Sequence, residues 1–345
     1  MERNMLSRRA FAKGFTAVAL TGALGLAGCG NSSDDAPAAG STAASGDGTT
    51  YKIGVLQLTE HTALDAANDG FVKALDDSGI SYEIEQQNAQ NDQSACQTIA
   101  QTLVNDGCDL ILAIATPAAQ AVAGATTEIP IVGTAITDFA ASGLVDDNDA
   151  PGGNLTGTSD MNPVADQMDL LQRLLPDAKT VGLLYCTAES NSDIQIAMAE
   201  EELDKLGIAH ERYTVSSSNE IQQVVESMVG AVDAIYTPTD NTIAAGMTTV
   251  AMVANENGVP TICGEVGMVE NGGLASVSIN YEELGYRAGE MAVEILTEGA
   301  DPAEMAIGTM TADECDLVYN QQTADEVGVD VTALADEGGE DVSAA

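Results

Sequence analysis

The stretch "DLILAIATPAAQAV" (109–122) runs an apolar segment into a Thr-Pro turn and on into small helix formers. "DAIYTPTDNTIAAG" (233–246) repeats the same plan in the second half of the chain. Each reads as a buried strand whose carboxyl end opens a helix, and aligning Asp109 with Asp233 sets Thr116 against Asp240 at the two helix openings. Each is followed by a Pro-containing strand, "EIPIVGTAITD" (128–138) and "GVPTICGEVGM" (258–268). Repeated β-α-β units build a parallel sheet with helices on both faces. Two copies predict an α/β protein of two doubly wound parallel-sheet lobes joined by a hinge, with a ligand crevice beyond the carboxyl ends of the strands.

Working outward, "YKIGVLQL" (51–58) and "SYEIEQQ" (81–87) read as further strands of the first series, with helices near 62–78 and 94–107. The second series has strands "TVGLLYC" (180–186), "IAHERYTV" (208–215), "VDAIYT" (232–237), "VPTIC" (259–263) and "GLASVSI" (273–279). Its helices fall near 191–206, 217–230 and 241–256. "NYEELGYRAGEMAVEILTEG" (280–299) carries Leu284, Ala288, Met291 and Ile295 on one face and is expected to return the chain to the first lobe. The expected boundaries are 51–158 plus 282–336 for lobe 1 and 159–281 for lobe 2, with "ECDLVYN" (314–320) finishing lobe 1 and a disordered tail over 337–345.

Ahead of the lobes, "SRRAFAK" (7–13) precedes the short apolar run "FTAVALTGALGLAG" (15–28), which falls short of the roughly 20 residues a membrane span needs. The first element resembles the twin-arginine export signature, and "LAGC" resembles a lipobox, which implies lipidation at Cys29 and a membrane-anchored protein on the extracytoplasmic face. Residues 1–28 are then a signal peptide. Residues 29–50, rich in Ser, Ala, Gly and Asp, form a flexible tether.

The formal charge is −43, from 11 basic and 54 acidic residues. Nothing so acidic is suited to nucleic acid or anionic lipid. Cys96, Cys108, Cys186, Cys263 and Cys315 lack C-x-x-C spacing, and only His61 and His210 are available as imidazole ligands, so neither a metal site nor a cofactor is expected. The cysteines read as small buried hydrophobes, with one disulfide open.

Five ordered stretches, "VLQLTEHTALDAANDGF" (55–71), "LAIATPAAQ" (112–120), "PGGNLTG" (151–157), "YTPTDNTI" (236–243) and "NYEELGYRAGEMAVEIL" (280–296), resemble the substrate-binding lipoproteins of ABC importers, in the subgroup described as tryptophan- or tyrosine-binding. The likeness runs from about residue 52 to 330. It implies a type I periplasmic-binding-protein-like fold, a solute (an amino acid or similar) captured by hinge closure, and delivery to permease and ATPase subunits. A sensory protein feeding a membrane receptor would share fold and pocket. An α/β enzyme is disfavoured, because no nucleophile elbow, dinucleotide or P-loop glycine pattern occurs in the lobes, and no catalytic residue is assigned.

A zwitterionic amino acid needs amide N–H groups at a helix N-terminus for its carboxylate and a carboxylate for its ammonium. "ATPAA" (115–119) suits the first, with Thr116 as N-cap, Pro117 behind it and the N–H of Ala118 free; Thr137 and Asp138 share that rim. Asp240 suits the second, with Asn241 adding a polar contact. Glu60 and His61 end the first strand, Asp160 lies at a crossover, and Glu265 and Asn280 follow strand ends in the second lobe. Tyr185, with Tyr236 and Tyr281, is available to stack on an aromatic ligand in a chain without tryptophan.

Overall fold

A computed structural model describes residues 49–343, so the export signal, Cys29 and most of the tether lie outside the described residues. Lobe 1 opens with β1 (Thr50–Gln57), α1 (Thr62–Ser78), β2 (Ser81–Asn88), α2 (Gln93–Asn105), β3 (Leu110–Ile114), α3 (Thr116–Ala125), β4 (Ile131–Ile136) and β5 (Leu155–Ser159). These strands form one parallel sheet in the order β2-β1-β3-β4-β5. The continuous apolar runs of β3 and β4 are buried throughout, as strands covered on both faces must be. At the edge, β2 alternates between half-buried and exposed residues.

The chain then crosses to lobe 2 through α4 (Val164–Leu174), β6 (Thr180–Cys186), α5 (Ser190–Leu206), β7 (Ala209–Val215), α6 (Ile221–Met228), β8 (Ala234–Thr237), α7 (Asn241–Ala245), α8 (Met247–Glu256), β9 (Thr261–Cys263), α9 (Val266–Glu270) and β10 (Ala275–Ile279). The helix expected over 241–256 is broken at Gly246 into α7 and α8.

α10 (Tyr281–Glu298) returns to lobe 1 as anticipated, and it does so on glycines. A Cβ on Gly70 of α1 would overlap the Glu282 carbonyl oxygen, and one on Gly285 of α10 would overlap the Ala67 carbonyl oxygen. The two helix backbones therefore meet directly, which only glycine allows at both positions.

The remaining segment corrects the expected boundaries. β11 (Cys315–Tyr319) pairs antiparallel with β10 along its whole length, and α11 (Gln321–Val327) and α12 (Thr332–Asp336) follow it. The second sheet runs β12-β11-β10-β9-β8-β6-β7, so residues 315–341 complete lobe 2 and not lobe 1. The side chain of Asn320 secures the placement by donating to the Val269 carbonyl, 2.9 Å away. Nor is the tail after 337 without structure: β12 (Glu340–Asp341) pairs with β11, and Val342 N–H donates to Tyr319 O at 2.9 Å. Hydropathy marks 315–319 as a strand but carries no information on which free sheet edge it joins. Sequence reading also passed over β5, α4 and α9.

Candidate functional site

Seven chain segments end at the cleft between the lobes, most of them at the carboxyl ends of parallel strands, as the doubly wound rule requires. They line a narrow, largely enclosed cavity. From lobe 1 and the crossovers come His61, Ala63 and Leu64 after β1, Ala135 and Thr137 at the end of β4, Asp160 after β5, and Tyr281 after β10. Lobe 2 supplies Asn191 after β6, Thr239 to Asn241 and Ala244 after β8, and Glu265 after β9. Ala135 sits at φ +54, a left-handed conformation that a residue with a side chain adopts only at a cost and that collects at binding sites.

Three of these groups are buried carboxyls. Asp160 is 5% exposed, accepting from Thr137 Oγ1 at 3.1 Å and from the Tyr281 hydroxyl at 3.0 Å. Burial outweighs those hydrogen bonds and pushes its pKa up to about 6. Glu265 caps α9, accepting from Gly267 N at 2.5 Å and Met268 N at 2.9 Å, and burial lifts it to about 7. Asp240 is raised too, by burial first and then by the charge of Glu189. Among the described residues, no Lys or Arg lines the cavity to balance these acids.

Asp240 was expected to receive an ammonium, yet it already accepts from three donors within lobe 2, against two each at Asp160 and Glu265. Oδ1 accepts from Ile243 N at 2.9 Å, and Oδ2 from Cys186 N and Ser192 Oγ, each at 2.7 Å. It ties β6, α5 and α7 together and forms the cavity wall. Behind it, Glu189 accepts from the N–H and side-chain groups of Asn241 and Thr242.

The cleft is closed by direct bonds between lobes. His61 Nε2 lies 3.1 Å from Asn241 Oδ1, Asn91 Nδ2 donates to Thr242 Oγ1 at 2.9 Å, and Gln93 Nε2 donates to Ala188 O at 3.1 Å. At the crossover, Asn162 binds both strands of the hinge: its Nδ2 donates to Asp160 O at 3.0 Å and its Oδ1 accepts from Ile279 N at 3.0 Å.

Of the residues singled out in the sequence, His61, Thr137, Asp160, Asp240, Asn241, Glu265 and Tyr281 are brought together around this cavity. Thr116, Pro117 and Ala118 form the buried first turn of α3 without lining it. The N-cap is Ala115, at φ +82, rather than Thr116. Asp138 is spent on its own loop, accepting from Ala141 N and Asn148 Nδ2. Tyr185 accepts from Arg212, whose guanidinium lies over its ring, and does not line the cavity. Glu60 and Asn280 are exposed, Asn280 capping α10 through Glu283 N. The stacking role considered for Tyr236 is ruled out by full burial against Gln167. Asn191 and Thr239 were missed; the strand-end rule, applied to β6 as it was to β1, points to Asn191.

All five cysteines of the lobes are unpaired, and four are buried. Among the described residues there is no cluster of metal-ligating side chains and no helix long and apolar enough to cross a membrane. A wider, open groove on the outer face of lobe 2, beside Met252, Asn255 and Thr323, lies away from the buried acids around the cleft.

A family model described as ABC transporter substrate binding protein matches residues 52–336. A tyrosine-binding protein of Clostridioides difficile (strain R20291) is 44% identical over 275 residues, 79% of this chain and 79% of that protein. Among solved structures, the ABC domain from Streptococcus pneumonia in complex with L-Trp matches with a TM-score of 0.82 at 38% identity, covering 86% of this chain and 100% of that one. The ligand-free, open structure of a substrate binding protein with adhesive properties from Clostridium difficile matches with a TM-score of 0.63 at 44% identity, covering 81% and 95%.

Proposed function

Because the chain belongs to the ABC transporter substrate-binding proteins, we propose that it captures a free amino acid, an aromatic one such as tyrosine or tryptophan, between its two lobes and hands it to an importer. The fold is that of the type I periplasmic binding proteins, and the family works on the extracytoplasmic side as binding proteins, not enzymes.

The observation that carries the ligand reading is the cavity itself: buried acids, no Lys or Arg among its lining residues, and walls from both lobes. Buried carboxyls without a counter-charge are costly. An α-ammonium group placed against Asp160 and Glu265 offsets that cost, and three N–H donors suit two carboxylates. For the carboxylate of the ligand, lobe 1 offers the first turn of α1, which has no side-chain cap and brings Ala63 and Leu64 to the cavity. Amides of such turns favour an anion. The names of the relatives, a tyrosine-binding protein and an L-Trp complex, support an aromatic side chain.

Hinge closure is supported by the pattern of similarity. The relative with L-Trp bound resembles this structure more closely than the open, ligand-free one does, although its sequence is less similar. The bonds from His61, Asn91 and Gln93 into lobe 2 are then the latch of the closed form. Anchoring through lipid on Cys29 rests on the "LAGC" resemblance.

The test is thermal unfolding of the protein against a panel of amino acids. A ligand at about a hundred times its Kd stabilises the folded state by roughly 2.7 kcal/mol. A shift with tyrosine or tryptophan supports the reading, and silence across all amino acids refutes it.

A further inference from the structure

Two side chains that line the cavity keep a buried polar atom without a partner: His61 at Nδ1 and Asn191 at Oδ1. Their neighbours decide what each atom can do. Glu189 Oε2 accepts from Asn241 twice, from its backbone N–H at 3.0 Å and from Nδ2 at 2.5 Å. The Asn241 amide is thereby oriented with Oδ1 toward His61 Nε2, 3.1 Å away. A carbonyl oxygen takes only a donor, so Nε2 carries the proton. Burial lowers the His61 pKa and keeps the ring neutral, which leaves Nδ1 a bare acceptor. Asn191 is oriented in the same way: Nδ2 donates to Thr239 O at 3.2 Å, and Oδ1 is left over.

His61 reaches the pocket from the turn after β1 and Asn191 from the start of α5, whereas the acidic floor is made by Asp160 after β5 and Glu265 after β9. An ammonium held at the floor leaves the imidazole acceptor needing a second donor, at the other end of the ligand. Leaving a buried acceptor unpaired costs more than an average hydrogen bond gains.

Resting on the amino-acid reading above, we propose that His61 Nδ1, with Asn191 Oδ1, selects ligands whose side chain carries a hydrogen-bond donor, a phenol O–H or an indole N–H, over side chains of bare hydrocarbon. Glu189 acts through Asn241 as a positioning residue. His61 belongs to lobe 1 while Asn241 and Glu189 belong to lobe 2, so the acceptor role of Nδ1 is set only when the lobes meet. Selection is thus completed by closure and not by the open lobe.

Isothermal titration with four probes tests this: L-tyrosine against L-phenylalanine, and L-tryptophan against 3-(3-benzothienyl)-L-alanine, in which sulfur replaces the indole N–H. The wild-type protein is expected to bind each donor-bearing ligand at least about tenfold more tightly than its partner. In His61→Leu both ratios fall toward one while phenylalanine still binds, which also shows that the variant folds. Glu189→Gln narrows the ratios with a smaller effect on phenylalanine. Equal wild-type affinity for tyrosine and phenylalanine, or ratios that survive His61→Leu, overturns the inference and leaves the amino-acid reading standing. Failure of all four probes to bind overturns both.

Discussion

Replacing Asp160 with Asn is predicted to make the ligand-free protein more stable at neutral pH while weakening its grip on ligand. The carboxyl is buried, and its pKa stands at about 6 against an ordinary value of 3.8. The folded state therefore holds the proton more tightly than the unfolded chain does. Its contribution to stability is fully present below about pH 4 and is lost as pH rises past about 6. At about 1.4 kcal/mol per tenfold change in acidity, the loss amounts to about 3 kcal/mol at pH 7.5. Asn keeps the shape and carries no charge, and the hydroxyls of Thr137 and Tyr281 can each turn to accept from its amide. Denaturant unfolding of wild type and Asp160→Asn at pH 4 and pH 7.5 measures the effect. The two proteins should match within about 1 kcal/mol at pH 4, with the variant ahead by about 3 kcal/mol at pH 7.5. Titration of the same variant with tyrosine or tryptophan should show at least about tenfold weaker binding, the usual worth of a hydrogen bond to a charged group. A variant less stable than wild type at both pH values would refute the reasoning, because Asp160 would then be a net stabilising residue held by its two hydroxyl donors.

Binding itself should depend on pH in the opposite sense to stability. An ammonium ligand needs Asp160 and Glu265 ionised, so affinity should fall about tenfold or more from pH 7.5 to pH 5, with proton release at pH 6 seen as a buffer-dependent heat; a flat profile would remove these acids from the site. Gly285→Val should cost about 2 kcal/mol or more in a denaturant titration, since its Cβ overlaps the Ala67 carbonyl oxygen and separates α10 from α1; an unchanged midpoint would refute the close approach. Gly264→Asp should lower overall stability, because any Cβ there overlaps the Pro238–Thr239 peptide; folded yield equal to wild type would refute this. Cys29→Ser should move the protein from the membrane fraction to the soluble one; continued membrane association would refute lipid anchoring at that residue.

Local pattern was enough for the two-lobed α/β plan. Apolar strands of limited length, helix openings at Thr116 and Asp240, and the glycines closing α1 and α5 are all short-range signals, and each reports the physics of its own segment. The strand-end rule then led to the neighbourhood of His61, Thr137, Asp160, Asp240 and Glu265 without any coordinates. Which of those carboxyls is spent on structure was not legible. Asp240 looks the same on paper whether it meets an ammonium or caps α7, and only the positions of Cys186 N and Ser192 show that its oxygens are already taken. The sheet that β11 joins was equally hidden, because hydropathy specifies a strand but not its partner. The state of His61 depends on Asn241 and Glu189, distant in sequence and on the opposite lobe. What the sequence by itself determined were the elements, the repeat and the rim on which the site lies. Protonation, tautomer and the pairing of buried charge were decided by the tertiary structure, since they depend on which groups share a space that excludes water.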